Sequence, residues 1–136
     1  MIVGIGTDVV SIDRIAGVLE RHGERFVNRV LTPDERARFH RTKAKASHLA
    51  KRWAAKEAFS KAIGTGIHYP FTWQSITVGR DAKGKPLVIP NGEMKAHLES
   101  LGVTHAHVSL TDDAGIAVAF VVLETSTQTG GNGAAR

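Results

Sequence analysis

Three residues of this chain combine types and spacing that could do chemistry: Asp8, Glu57 and Lys61. Glu57 and Lys61 stand four apart in a run from about Ala44 to Ile63 that has no Pro or Gly, is rich in Ala, Lys and Leu, and is followed by Gly64. Such a run forms one long helix, and the glycine supplies the left-handed residue that ends it. At 3.6 residues per turn, Leu49, Trp53, Glu57 and Lys61 share one stripe, so a carboxylate and an ammonium continue a line begun by a leucine and an aromatic ring. A solvated Glu-Lys pair worth about 0.3–0.5 kcal/mol is one reading of that spacing. Asp8 is the odd member of the apolar, β-branched run from Ile2 to Val10. A carboxylate there is costly unless paired or metal-bound, so Asp8 marks either the solvated end of a strand or a ligand. Two carboxylates and a lysine suit a hard cation that keeps several waters and borrows substrate phosphate oxygens, the usual way of holding Mg²⁺, and so point weakly to phosphoryl-type transfer.

The elements that must position these residues follow from pattern and punctuation. The first strand carries Gly4 and Gly6 on one side of the pleat. Ser11 caps a helix from Ile12 to about His22, with Ile12, Ile15 and Leu19 as its buried stripe and Gly23 at its end. A short helix from Glu24 to Val30 comes next, and Thr32-Pro33-Asp34-Glu35 is a capping box that opens a helix to about His40. Beyond the long helix, Ser75 to Arg80 and Leu87 to Ile89 read as a hairpin. Asn91 caps a helix from about Gly92 to Leu101, and His105 to Thr111 and Ile116 to Glu124 are strands joined at Asp112-Asp113-Ala114-Gly115. The last strand is apolar throughout and should be central. The expected fold is α+β: a single compact domain, residues 1–124, with a small, largely antiparallel sheet packed on a long central helix. The Thr-, Ser- and Gly-rich end, residues 125–136, is expected to be a disordered tail.

Composition narrows the classes. With 136 residues and 42% hydrophobic content the chain suits one domain. It has no cysteine, which excludes disulfides, thiolate nucleophiles and thiolate metal sites. No apolar leader or spanning stretch is present, and a cytoplasmic protein with no membrane partner is the expectation. The net charge of +5 is concentrated: residues 14–61 hold thirteen Lys or Arg against five Asp or Glu. Such a segment attracts an anion, whether nucleic acid, acidic protein or phosphorylated small molecule, or is simply a solvated basic face. The phosphate-loop, dinucleotide-binding, zinc-protease and serine-hydrolase motifs are all absent. His105 and His107, one pleat apart, read as structural.

Five segments in order carry a resemblance: Gly4-Ile5-Gly6-Thr7-Asp8, the run Arg52-Trp53-Ala54-Ala55-Lys56-Glu57-Ala58-Phe59-Ser60-Lys61, Gly64-Thr65-Gly66, Gly84-Lys85-Pro86 and His107-Val108-Ser109-Leu110. The chain resembles the holo-acyl-carrier-protein synthases of the phosphopantetheinyl transferase family over residues 1–124. That resemblance implies transfer of the 4′-phosphopantetheine arm of coenzyme A to a serine of apo acyl carrier protein, a step of fatty acid biosynthesis, with release of adenosine 3′,5′-bisphosphate. It implies Mg²⁺ held by Asp8 and Glu57 and Lys61 facing the reacting phosphate, these three forming the catalytic set. Lys43, Lys45 and Arg52 would hold the nucleotide end of coenzyme A, and Gly64, Thr65, Gly66, Gly84, Lys85 and Pro86 would line the cleft. Arg14, Arg21 and Arg25 would dock the acidic carrier protein. The resemblance also implies a homotrimer with its clefts between neighbours. One departure stands out: many members carry histidine where this chain has Asp112. The rival reading is a small basic RNA-binding domain with residues 14–61 as its footprint; no RNP-type or GXXG stacking module supports it.

Overall fold

The computed structural model describes residues 1–126. In chain order the elements are β1 (Ile2–Ser11), α1 (Ile12–His22), α2 (Glu24–Val30), α3 (Pro33–Arg41), α4 (Lys45–Ala62), β2 (Ile76–Arg80), β3 (Pro86–Pro90), α5 (Gly92–Ser100), β4 (His105–Asp113) and β5 (Ile116–Glu124). Every element expected from the sequence is present, and the class is α+β. The capping signals act as read. Ser11 accepts from the Arg14 amide, Asn91 from the Met94 amide, and Thr32 and Glu35 close a reciprocal capping box with Pro33 in the first turn.

The strands form two antiparallel sheets rather than one, a three-stranded sheet in the order β1-β5-β4 and a two-stranded β2-β3 hairpin. The apolar β5 is central, as its composition demanded. The β4–β5 turn is tighter than expected. Only Ala114 (φ 51°) and Gly115 (φ 81°) form it, so the strand runs on through Asp112 and Asp113, which pair with Ala117 and Ile116. Positive φ at both central residues is what a two-residue hairpin needs to follow the sheet twist.

Helix α4 lies across one face of the three-stranded sheet. Leu49, Ala50, Ala54, Ala58 and Phe59 are fully buried, and they meet Ala117, Ala119, Val121 and Leu123 of β5 in one core. Each large side chain so buried contributes about 1.5–3 kcal/mol. Gly4 and Gly6 explain how closely sheet and helix approach. A Cβ at Gly4 would strike the Ala62 carbonyl oxygen, and one at Gly6 the Ala58 carbonyl oxygen. Glycine at both positions lets the β1 backbone rest on the α4 backbone, and the next residue on that side of the pleat is Asp8.

The other face of this sheet is left apolar and exposed: Ile5 and Val9 of β1 are 59% and 60% accessible, and Phe120 of β5 is 42%. The tail expected from residue 125 lies outside the described residues apart from its first two. Thr125 and Met1 exchange hydrogen bonds at 2.8 Å, and the Ser126 amide donates to Thr104 Oγ1 at 2.8 Å, so both extend the ordered edge past Glu124.

Candidate active site

The close approach of β1 to α4 brings Asp8 to the stripe that carries Glu57 and Lys61. Lys61 Nζ donates to Thr7 O at 2.9 Å and lies 3.3 Å from Asp8 Oδ1. Burial pushes the Asp8 carboxyl above its ordinary range against the opposing pull of the Lys61 ammonium. Glu57 is pushed up as well, first by burial and then by the charge of Asp8. Two half-buried carboxylates, one of which raises the other, suit a cation between them, and Lys61 pairs directly with Asp8 alone while its charge also pulls against the rise at Glu57. The donor set is hard oxygen on both sides, and among the described residues no third His, Cys, Asp or Glu joins it. Two carboxylates without a full protein cage fit Mg²⁺, which keeps waters and takes the rest of its shell from substrate phosphate.

Glu57 also lines one wall of a cleft of about 760 Å³ whose floor is aromatic. Trp53, one helical turn before Glu57, stacks on Trp73 with ring centroids 4.5 Å apart and tilts against Phe26 at 5.7 Å. Arg25 and Arg29 sit on its rim. Arg14 is exposed on α1, and its charge lowers the pKa of both Asp8 and Glu57, so it faces the carboxylates as well as solvent.

Arg52 is placed elsewhere. Five residues before Glu57, it projects roughly 140° away around α4. It is 1% exposed, and its three guanidinium nitrogens have no hydrogen-bond acceptor among the described residues. It lines a hollow of about 200 Å³ with Arg38, Arg41, His48 and Arg80, where Asp34 and Glu35 are the acidic members, and the same four basic residues wall a neighbouring hollow of about 280 Å³. Burial, then the charge of Arg80, pulls Arg52 down to about 10, and burial with Arg52 beside it pulls His48 down to about 3, which keeps that imidazole neutral. A buried unpaired guanidinium is costly, and an anion is what would satisfy it.

The residues expected to surround one coenzyme therefore divide within this chain. Asp8, Glu57 and Lys61 come together at the β1 side of α4, with Gly64, Thr65 and Gly66 turning directly off the end of that helix, the Gly64 amide donating to Lys61 O and the Thr65 and Gly66 amides to Ser60 O. Arg52 faces the other way with Arg80, and Gly84, Lys85 and Pro86 close the β2–β3 hairpin beside it, where Arg80 Nη1 donates to Gly84 O at 2.9 Å. Lys43 is exposed between α3 and α4. Lys45 turns back on α3: its ammonium donates to Thr42 O at 2.6 Å and His40 O at 3.3 Å, at the C-terminal carbonyls of that helix. Arg38, Arg41, His48 and Arg80 were not picked out from the sequence. The i,i+4 spacing of His48 and Arg52 was the available signal, but no pattern told which arginines of the basic segment would converge.

The profile of the family described as the 4′-phosphopantetheinyl transferase superfamily matches residues 4–121. This chain belongs to that superfamily. It is 47% identical to the holo-acyl-carrier-protein synthase of Herminiimonas arsenicoxydans over 129 residues, spanning 91% of this chain and 98% of that protein. The fold matches the crystal structure of the holo-acyl-carrier-protein synthase from Neisseria meningitidis with a TM-score of 0.88 and 42% identity, over 92% of this chain and 100% of that one. A Bacillus anthracis holo-acyl-carrier-protein synthase solved in complex with coenzyme A (3′,5′-ADP) matches with a TM-score of 0.79 and 38% identity, over 93% of this transferase and 99% of that chain.

Proposed function

We propose that this transferase moves the 4′-phosphopantetheine arm of coenzyme A to a serine of apo acyl carrier protein. The serine hydroxyl gives up its proton to solvent as its oxygen bonds to the phosphorus that bears the pantetheine arm, the bond from that phosphorus to the bridging oxygen breaks, and adenosine 3′,5′-bisphosphate leaves with the electron pair. The observation that carries the reading is the meeting of Asp8, Glu57 and Lys61 at the edge of an open cleft, in a chain nearly half identical to a named holo-acyl-carrier-protein synthase. Asp8 and Glu57 are the residues that would hold Mg²⁺, which supplies a counter-charge for the pyrophosphate oxygens when bound. Lys61, already at the Asp8 carboxylate, places a second fixed cation where charge grows in the transition state. Arg21 and Arg25 are exposed on the α1–α2 side, where they suit an acidic carrier protein. No described helix is long and apolar enough to cross a membrane.

Each copy of the chain holds two half-sites pointing apart, one acidic and one basic. In a homotrimer packed through the exposed face of Ile5, Val9 and Phe120, the carboxylates of one copy can meet the arginine hollow of the next, so that pyrophosphate and nucleotide end are held by different subunits. The RNA-binding alternative has no observation in its favour. The basic segment is not a continuous face, because Arg52 and Lys56 are buried and Lys45 caps a helix.

The test is mass spectrometry of an apo carrier protein incubated with this protein, coenzyme A and Mg²⁺. An added phosphopantetheine is expected, and an unchanged mass overturns the assignment. Sharing of sites is tested by mixing Asp8→Asn chains with Arg52→Met chains after partial unfolding and reassembly. Recovery of activity from two impaired parents is expected for a site built across copies, and none for a site built within one.

A further inference from the structure

We infer that the buried Lys56–Glu35 ion pair is a positioning device for the transfer reaction: it ties both walls of the Trp53–Trp73 cleft to α4, one residue from Glu57. This rests on the proposed role of Glu57. Lys56 is 0% exposed, and its ammonium donates three hydrogen bonds of 2.7 Å each, to Glu35 Oε1, to Val30 O and to Trp73 O. Three donors meet three acceptors, so the group is saturated. The acceptors come from three separate pieces of chain: the first turn of α3, the end of α2 and the loop that enters β2. Glu35 spreads the tie further, since Oε1 also accepts the Thr32 amide at 2.8 Å and Oε2 the Val78 amide at 2.7 Å.

Val30 and Trp73 stand on two walls of the cleft that Glu57 and Trp53 complete. The ammonium thus fixes, from behind, both segments that face the carboxylate. A second tie reinforces the first: Gln74 Nε2 donates to the Asn28, Arg29 and Leu31 carbonyl oxygens at 3.3, 3.2 and 3.0 Å, holding the same loop to the same end of α2. An apolar core alone would have joined these segments without setting their distance from Glu57. Three short charge-assisted hydrogen bonds specify it, and misplacement by about 1 Å can cost about 10²-fold in rate.

Trp53 and Trp73 are the only two tryptophans of the chain, and they stack across the cleft, so the exciton-coupled circular dichroism of the pair reports cleft geometry directly. Three variants separate positioning from mere stability. Lys56→Met removes the tie and leaves the Glu35 carboxylate buried. Gln74→Ala removes only the second tie, from an exposed side chain. Met94→Ala, in the core under α5 and outside the cleft, is the destabilised control. Lys56→Met is expected to lose the tryptophan couplet and about 10² in kcat/KM with coenzyme A and apo carrier protein. Gln74→Ala should lose part of the couplet and about tenfold in kcat/KM, while Met94→Ala should keep both despite a lower Tm. The inference is overturned if Lys56→Met, or Gln74→Ala where Lys56→Met does not fold, keeps wild-type kcat/KM, or if its loss only matches that of Met94→Ala. Wild-type protein that transfers nothing would instead overturn the role given to Glu57.

Discussion

Two sides of one helix make an instructive pair. On one side of α4, Glu57 and Lys61 join Asp8 and collect an excess of acid; on the other, Arg52 and His48 join Arg38, Arg41 and Arg80 and collect an excess of base. Both groups pay in stability for being desolvated. The raised carboxylates favour the folded chain only at low pH, and that contribution is lost as pH rises through their folded values. His48 acts in the opposite sense. Its folded value of about 3 lies below the ordinary 6.5, so its unfolded form takes up a proton first and stability falls as pH drops below about 6.5. A core has no use for such groups. A pyrophosphate with a cation would satisfy the first side and a further phosphate the second, which is the sense in which the proposed function accounts for the pair.

The largest effects should come from the acidic side. Asp8→Asn and Glu57→Gln should each nearly abolish transfer and weaken Mg²⁺ binding, and the double variant should be little worse than either, because one lost ligand already disables the site. Each should also raise Tm at pH 7, since each removes a carboxylate that burial disfavours. Two mild and additive losses would separate these residues into unrelated roles. Lys61→Met comes next, with kcat down by on the order of 10²–10³ and Mg²⁺ affinity little changed, as for the loss of one transition-state electrostatic partner. Steady-state kinetics with Mg²⁺ titration distinguishes the two.

On the basic side, Arg52→Met should behave differently: the KM for coenzyme A rises by roughly 10–100-fold, the scale of hydrogen bonds to a charged group, while kcat changes less. Its Tm without ligand should rise, because the guanidinium nitrogens have no acceptor to lose. A lower Tm with unchanged KM would mean that Arg52 supports the fold through Glu35 and that no anion binds there.

The contrast between the sides also explains how much could be read in the sequence. Caps, helix lengths and the apolar β5 are local properties, and they appear where local signals put them. The Asp8–Glu57–Lys61 group was legible because two of its members share a helix stripe and the third breaks an apolar run. Its cause was not: Gly4 and Gly6 were visible as same-side glycines, but only packing shows that α4 carbonyls occupy the space of their missing Cβ atoms. The approach of Arg80 to the basic cluster, the Lys56–Glu35 tie and the stack of Trp53 on Trp73 join residues 20 or more apart in sequence, and no periodicity carries such information. The split of the strands into two sheets is the same kind of fact. Lys45 shows a contact that its basic stretch did not signal, its ammonium donating to carbonyls at the end of α3.

The smallest expected effect lies at Asp112. Asp112 is exposed near the end of β4, and its Oδ1 lies 3.1 Å from Lys51 Nζ on α4. Lys51 is near enough to the basic hollow that its charge helps hold His48 neutral. Asp112 therefore shields one cation of the cluster that Arg52 anchors. As an exposed pair it is worth no more than about 1 kcal/mol, so Asp112→Asn should lower Tm only slightly. Freeing Lys51 should then lower the KM for coenzyme A by about 2–5-fold, the same modest energy expressed as affinity, and that gain should fade as salt rises. Lys51→Met should abolish the gain in the double variant, because the ammonium and not the lost carboxylate supplies it. If Asp112→Asn instead raises KM as far as Arg52→Met does, Asp112 is itself part of the binding centre, and the basic side contains an acidic member that acts on the substrate directly.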